Sequence, residues 1–301
     1  MEIGSLMDRL TESHELLEPV AGQARVPRPR KAEIHPTALV APEAVVGPGV
    51  SIGPWCQVGP EVVIEPRARL HSHVVVQGRT RIGAEAELYP FCTVGLAPQD
   101  LKYRGEPTRC EIGPRTQVRE HCTIHRGTAS GAGITRVGAD CLVMAVAHIA
   151  HDCQIGEGVI IANNVIMGGH VRIDDQAVIG GAAALHQYIH IGRGAIVGGV
   201  SGVGGDVVPF GAVVGNRGRL TGLNVVGLRR RGFDRETVHK LRGVFLLLFR
   251  REGVFATRLA ETRRRYGDDP LVREILAFID APSRRGLIRA TLRWDGEDAA
   301  S

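Results

Sequence analysis

An aliphatic residue recurs at every sixth position over most of this chain, and few folds can use such a period. The series starts at Ile34 and runs Val40, Val46, Ile52, Val58, Ile64, Leu70, Val76, Ile82, Leu88 and Val94. It resumes at Ile112, Val118 and Ile124, then at Val137, Val143, Ile149, Ile155, Ile161, Met167, Ile173, Ile179, Leu185, Ile191, Val197 and Val203. Self-similarity at a fixed period marks a repeat architecture in which each unit buries its apolar face only against its neighbours. The fourth residue after each aliphatic is small, as at Ala38, Ala44, Val50, Cys56, Val62, Ala68, Val74 and Thr80, and later at Ala177, Ala183, Ala195 and Ser201. One large and one small inward position per repeat describe a short strand plus a corner, and three such units, about 18 residues, would close a triangular coil. Composition agrees: hydrophobic residues make up 44% but aromatics only 4%, so the core must be built from small side chains. Glycine often follows the aliphatic, at Gly47, Gly53, Gly59, Gly83, Gly156 and Gly192, which suits a turn with unusual φ.

The same period accounts for the cysteines. Cys56, Cys92, Cys110, Cys122, Cys141 and Cys153 all fall in the small inward slot and form no CxxC pair, so they read as core fillers with free thiols. Two interruptions break the series. Between Val94 and Ile112 the inward slots would hold Asp100 and Glu106, so 96–109 reads as a loop leaving the coil. Between Ile124 and Val137 the series slips by one residue, making 126–136 a second excursion. Long loops on a rigid scaffold are usually functional.

After about residue 210 the period is lost. Asp234 is placed to cap a helix with an apolar stripe of Val238, Leu241, Phe245, Leu248 and Phe249. A second helix should end near Gly267, and a third should follow Asp269-Pro270 and stop by Pro282. The expected fold class is mainly β, a parallel β-helix with a small C-terminal α-helical domain. The expected divisions are a flexible extension over 1–32, the β-helix over 33–215 and the helical domain over 216–301. The first residues lack the apolar stretch of a secretory signal, and no apolar run approaches the ~18 residues of a membrane span. A soluble cytoplasmic protein without an integral membrane segment is expected.

None of the twelve histidines occupies an inward slot. His170 lies about one coil beyond His151, a further step reaches His186, and His148 shares the coil of His151, so stacking should gather these side chains along one edge. A neutral imidazole there can remove a proton from a sugar hydroxyl as it attacks a thioester. Gly168-Gly169 on the next coil would expose a backbone N–H to the oxyanion. Two other readings fit the same residues: a zinc site of three histidines between subunits, as in the γ-class carbonic anhydrases, or a row of solvated side chains.

The strings QDLKYRGEPT (99–108), TIHRGT (123–128), AHIAHDC (147–153), GGH (168–170), LHQ (185–187), GLRRRGF (227–233) and SRRGLIR (283–289) together resemble one family closely, the UDP-N-acetylglucosamine O-acyltransferases that open lipid A biosynthesis. The resemblance implies a left-handed β-helix and a cytoplasmic homotrimer with active sites between subunits. It also implies transfer of a 3-hydroxyacyl chain from acyl carrier protein to the 3-position of UDP-N-acetylglucosamine, with no cofactor and no metal. Carried over by motif, His151 is the general base, Asp152 its companion and Gly169 the oxyanion donor. Gln99, Asp100 and Lys102 would reach the sugar and nucleotide from a neighbouring subunit. His148, His170, His186 and Gln187 would contact sugar, acyl chain or pantetheine. Asn224, Arg230 and Arg231 would meet the nucleotide, where guanidinium forks suit phosphate oxygens. Gly199 matches the position that measures acyl length, and a glycine there implies a long chain. Two positions depart from the family: Arg217 stands for a His and Val226 for a Glu.

Charge fits such a partner. Residues 217–289 carry 18 Lys/Arg against 8 Asp/Glu, a net of +10 where the whole chain has +5, and acyl carrier proteins are acidic, so the tail would steer docking. Nucleic-acid binding is not indicated, because the basic residues have no aromatic interleaving and match no recognised motif.

Overall fold

The computed structural model describes residues 31–249 and 253–291; all but the last two residues of the expected N-terminal extension lie outside them. From Lys31 onward the chain forms one compact unit. Most repeats contribute a two-residue strand, and strands pair in parallel at an offset of 18 residues, Ile34 beside Ile52, Leu70 beside Leu88 and Ile161 beside Ile179. Among the described residues three sheets of 11, 9 and 8 strands result, each taking every third strand as far as Val203. They are named here the first, second and third faces in the order the chain visits them. From Ile52 to Val203 every large inward residue is buried. Ile34 remains 46% exposed because its coil is the terminal one.

All six cysteines are buried and free. Burial pushes the Cys122 and Cys141 thiols up to about 11, so the small slot holds them as inert filler.

The glycines after the aliphatics serve a different purpose from the one expected. A Cβ on Gly83 would lie 2.5 Å from the backbone N of Pro114, and one on Gly192 2.5 Å from that of Pro209. Successive coils approach too closely there for a side chain. The left-handed backbone falls two residues later, mostly on non-glycine residues: Trp55 (φ 61°), His73 (59°), Asp152 (61°), His170 (62°) and Tyr188 (67°). Such a conformation costs roughly 1–2 kcal/mol for an L residue. At several corners the side chains stack between coils, which offsets part of that cost: His73 on Phe91, Phe91 on His121, and His170 on Tyr188.

The two excursions are present. Strands Thr93–Leu96 and Arg109–Ile112 bracket the first, and Thr123–His125 and Ile134–Val137 bracket the second. Both leave the second face and return on the third.

Beyond Val203 lies a feature absent from the sequence reading, an antiparallel hairpin of Gly211–Val214 with Arg219–Leu223 that extends the first face. The division expected at 215/216 falls in its turn. Among the described residues four helices follow: α1 (Val225–Arg230), α2 (Arg235–Phe249), α3 (Phe255–Tyr266) and α4 (Pro270–Asp280). Asp234 accepts from the Thr237 N–H at 2.7 Å, and Asp269 caps α4 through Leu271 and Val272. The expected stripe of α2 is buried. The tail is pinned to the coils by a bidentate Arg193–Glu274 pair, by Phe278 against His190 and by a bridge from Asp206 to Leu287.

Candidate active site

His151, Asp152, Gly169 and His170 follow strands of the second face, so they lie on the edge between the second and third faces. The His170 N–H donates to the His151 carbonyl at 3.0 Å, the inter-coil bond that fixes their register. His151 is 8% exposed, and its Nδ1 lies 2.9 Å from Asp152 Oδ2. An ionised carboxylate only accepts, so Nδ1 carries the proton and Nε2 presents its lone pair. A Cβ built on Gly169 would lie 2.6 Å from that Nε2. The ring therefore faces the Gly169 backbone, whose N–H donates to no other described residue.

Asp152 is buried, which opposes its ionisation. Hydrogen bonds from His151 and Thr128 outweigh that penalty and hold the carboxyl below its ordinary value. Oδ1 accepts from the N–H groups of Thr128 (3.1 Å) and Gly133 (3.0 Å); Oδ2 accepts from Thr128 Oγ1 (2.6 Å) and His151. Ligand atoms of His151, Asp152 and His170 lie within 4.8 Å of one another, close enough to cup a cation. Both carboxylate oxygens are already taken by donors of the second excursion, however, so the donor set suits proton handling better than metal ligation.

Two rings adjoin the dyad. His170 stands edge-on to His151 with centroids 5.0 Å apart, and burial keeps its pKa below the ordinary imidazole value. One coil further on is Tyr188, stacked on His170 at 4.4 Å and capped by the Arg284 guanidinium at 4.5 Å from its ring. The sequence reading put His186 in that place. An 18-residue step from 170 reaches 188, and His186 instead lines an open groove of about 610 Å³ with Leu185, Val203, Arg217, Leu287 and Ile288. Gln187 is exposed, and its carbonyl accepts from Arg285 Nε at 2.9 Å.

His148 lies on the second face, with Nδ1 2.7 Å from Thr123 Oγ1, and burial lowers its pKa. Its ring meets His125 edge-on at 5.1 Å. His125 was missing from the sequence-derived site although it stands in TIHRGT. It is 6% exposed, burial pushes its pKa down to about 4, and its buried Nδ1 has no partner among the described residues. Its outward slot gave no hint of burial.

The first excursion carries Gln99 and Lys102, both exposed, and Asp100, whose Oδ1 accepts from the Lys102 N–H. The negative charge of Asp100 reaches His170 of the same chain. The two loops are tied together by Arg126, which donates to Tyr103 Oη and to the Gly95 carbonyl, both at 2.9 Å.

Four expected residues lie elsewhere. Gly199 follows a strand of the first face. Asn224 is buried as the N-cap of α1, accepting from the Gly227 N–H and donating to the Gly194 carbonyl. Arg231 donates to the carbonyls of Gln176 and Gly194, on the edge between the third and first faces. Arg230, exposed, ends α1. One chain alone does not bring these four to His151.

Comparison with known proteins decides the family. A profile described as Udp N-acetylglucosamine O-acyltransferase, Domain 2, matches 206–288, and one for the bacterial transferase hexapeptide (six repeats) matches 134–169. An acyl-[acyl-carrier-protein]–UDP-N-acetylglucosamine O-acyltransferase of Azorhizobium caulinodans is 47% identical over 85% of this chain and 94% of its own length. The chain belongs to the UDP-N-acetylglucosamine O-acyltransferase family. A second member, from Paracoccus denitrificans, is 49% identical over 67% of this chain and 76% of its own. The crystal structure of the Moraxella catarrhalis UDP-N-acetylglucosamine O-acyltransferase superposes with a TM-score of 0.82 at 38% identity, covering 85% of this chain and 99% of that one. The left-handed β-helix with a helical tail expected for this acyltransferase is the fold observed. Among the described residues no helix is long and apolar enough to cross a membrane.

Proposed function

We propose that this chain transfers a 3-hydroxyacyl group from acyl carrier protein to the 3-position of UDP-N-acetylglucosamine, the first step of lipid A biosynthesis, in the cytoplasm. The observation that carries the mechanism is the His151–Asp152 dyad with its imidazole packed against Gly169, whose N–H has no partner among the described residues. Nε2 takes the proton of the sugar hydroxyl, and the oxygen attacks the thioester carbon. The Gly169 N–H donates to the oxyanion that forms. Collapse expels the carrier thiolate, which recovers the proton from the His151 imidazolium. Asp152 remains ionised throughout and stabilises that imidazolium, as in other base–carboxylate pairs. His148, His170 and Gln187 line the approach. The groove beside His186, with its floor of Leu185, Val203, Leu287 and Ile288, suits an acyl chain.

A homotrimer completes the site. Outward residues of the third face include Arg81, Glu111, Arg136 and Arg172, whereas those of the second (Leu39, Gln57, Val75, Thr93, Thr123, His148, Ile166, Ala184) carry no acid, Lys or Arg. A face without such charge suits contact between copies. A neighbour is also needed to bring Gly199, Asn224, Arg230 or Arg231 to a given His151.

The test is turnover of UDP-N-acetylglucosamine with a panel of hydroxyacyl carrier proteins. His151→Ala should lower kcat by roughly 10²–10⁴, and sedimentation should give three times 32.4 kDa. No turnover by the unaltered protein across the panel overturns the assignment, and a monomer overturns the composite site.

A further inference from the structure

The second excursion has no partner in the hexapeptide pattern, and its donors converge on one group. Thr128 N–H, Thr128 Oγ1 and Gly133 N–H all donate to the Asp152 carboxylate. From the coil side, the Asp152 N–H donates to Thr135 Oγ1 at 2.8 Å. Gly131 closes over the same carboxylate so tightly that a Cβ there would lie 2.4 Å from its Cγ. Thr128 and Asp152 are both buried. Ser130 Oγ sits 3.2 Å from Thr128 Oγ1 and fixes its rotor. The carboxylate thus keeps its remaining short contact for His151 Nδ1 at 2.9 Å, with His170 Nδ1 farther off at 3.8 Å from the same Oδ2. A six-residue corner could not supply these donors, which gives the out-of-phase loop its physical reason.

We infer that Thr128 is a positioning residue: its hydroxyl and amide hold Asp152 so that the dyad aims Nε2 of His151 at the reacting hydroxyl. This rests on the reading of His151 as general base. The titratable and charged groups facing the dyad are His148 on its own coil, His125 on the coil before and His170 on the coil after, with Asp100 and Arg284 acting on His170. None of them replaces the Thr128 hydroxyl at Oδ2.

Thr128→Val keeps the shape and removes the hydroxyl, Thr128→Ala removes it without adding an inward methyl, and Thr128→Ser keeps it. A carboxylate short of one donor accepts more strongly from Nδ1–H and stabilises the imidazolium. The acid limb of kcat/KM should therefore move up by about half a pH unit in the Val and Ala variants. Their kcat should fall roughly tenfold, the worth of a hydrogen bond to a charged group, while KM for both substrates stays within about twofold. The Ser variant should restore both rate and limb. Asp152→Asn, which removes the charge, should shift the limb the opposite way. Equal Tm and sedimentation of the variants show that folding is intact, and Thr128→Ala carries the test if the valine variant does not fold. Wild-type kcat and limb in both the Val and Ala variants, with His151→Ala inactive, would refute the positioning role alone. Full activity of His151→Ala would refute the general-base reading beneath it.

Discussion

Gly169→Ala is the most economical probe of the site, because the three atoms nearest the added methyl all belong to the catalytic ring. Built on the backbone, it lies 2.4 Å from His151 Cε1, 2.6 Å from Nε2 and 3.0 Å from Nδ1. Relief must come from the imidazole or from the coil. The coil is held on both sides, by the His170 N–H on the His151 carbonyl and by the Tyr188 N–H on the Gly169 carbonyl at 3.2 Å. The ring is held by Asp152. Either route displaces Nε2 by about 1 Å, enough to restore ordinary contact, and a shift of that size at a reacting centre costs about 10²-fold. The Gly169 N–H is retained in the variant, so the loss reports on the relative placement of base and donor rather than on removal of either. Overpacking should cost about 1–3 kcal/mol, with about 2–4 °C of Tm per kcal/mol. Steady-state turnover and a thermal melt are sufficient as assays. A kcat within threefold of wild type would mean that the ring does not stand where the argument requires.

His125 is buried neutral with its pKa near 4 rather than 6.5. A depressed value contributes stability that is full above the ordinary imidazole pKa and is lost as pH falls from there through about 4, some 3 kcal/mol in all. Denaturant midpoints at pH 7 and pH 5 should therefore differ less in His125→Gln than in wild type; an equal difference would contradict this. Asp269→Ala removes the cap of α4 and the partner of Lys240 and should cost about 1–2 kcal/mol while leaving kcat unchanged, as a melt and an activity assay would show. The six thiols should resist a neutral thiol reagent in the native protein and react fully after denaturation. Rapid native labelling of Cys122 or Cys141 would place them outside the core.

The coil was legible because its inward slots alternate large and small with one period, and burial at every large position from Ile52 follows from that alone. The motif named His151 and Asp152, but adjacency alone did not establish their contact; the approach of His170 followed from a step of about one coil. Where the reading failed, the cause lies in what a repeat does not encode. The 211–223 hairpin alternates weakly because Gly211, Gly215, Gly218 and Gly222 interrupt it. Asn224 carries the same amide whether it caps a helix or meets a nucleotide, and only the fold shows that Gly227 and Gly194 use it. Thr128 lies off the register, so no periodic argument could aim it at Asp152. The turn glycines misled because a missing Cβ serves close approach as well as unusual φ, and sequence alone does not separate the two.

The 18-residue register places a constraint on how such a chain can change length. Deleting one hexapeptide between His151 and His170 would leave every aliphatic pointing inward and the interior filled, yet it would carry His170 a third of a turn around the prism onto another edge. The fold would survive and the site would come apart. Only whole coils, or detours that leave and rejoin at adjacent faces as both excursions do, let the molecule grow or shrink with its chemistry still in line.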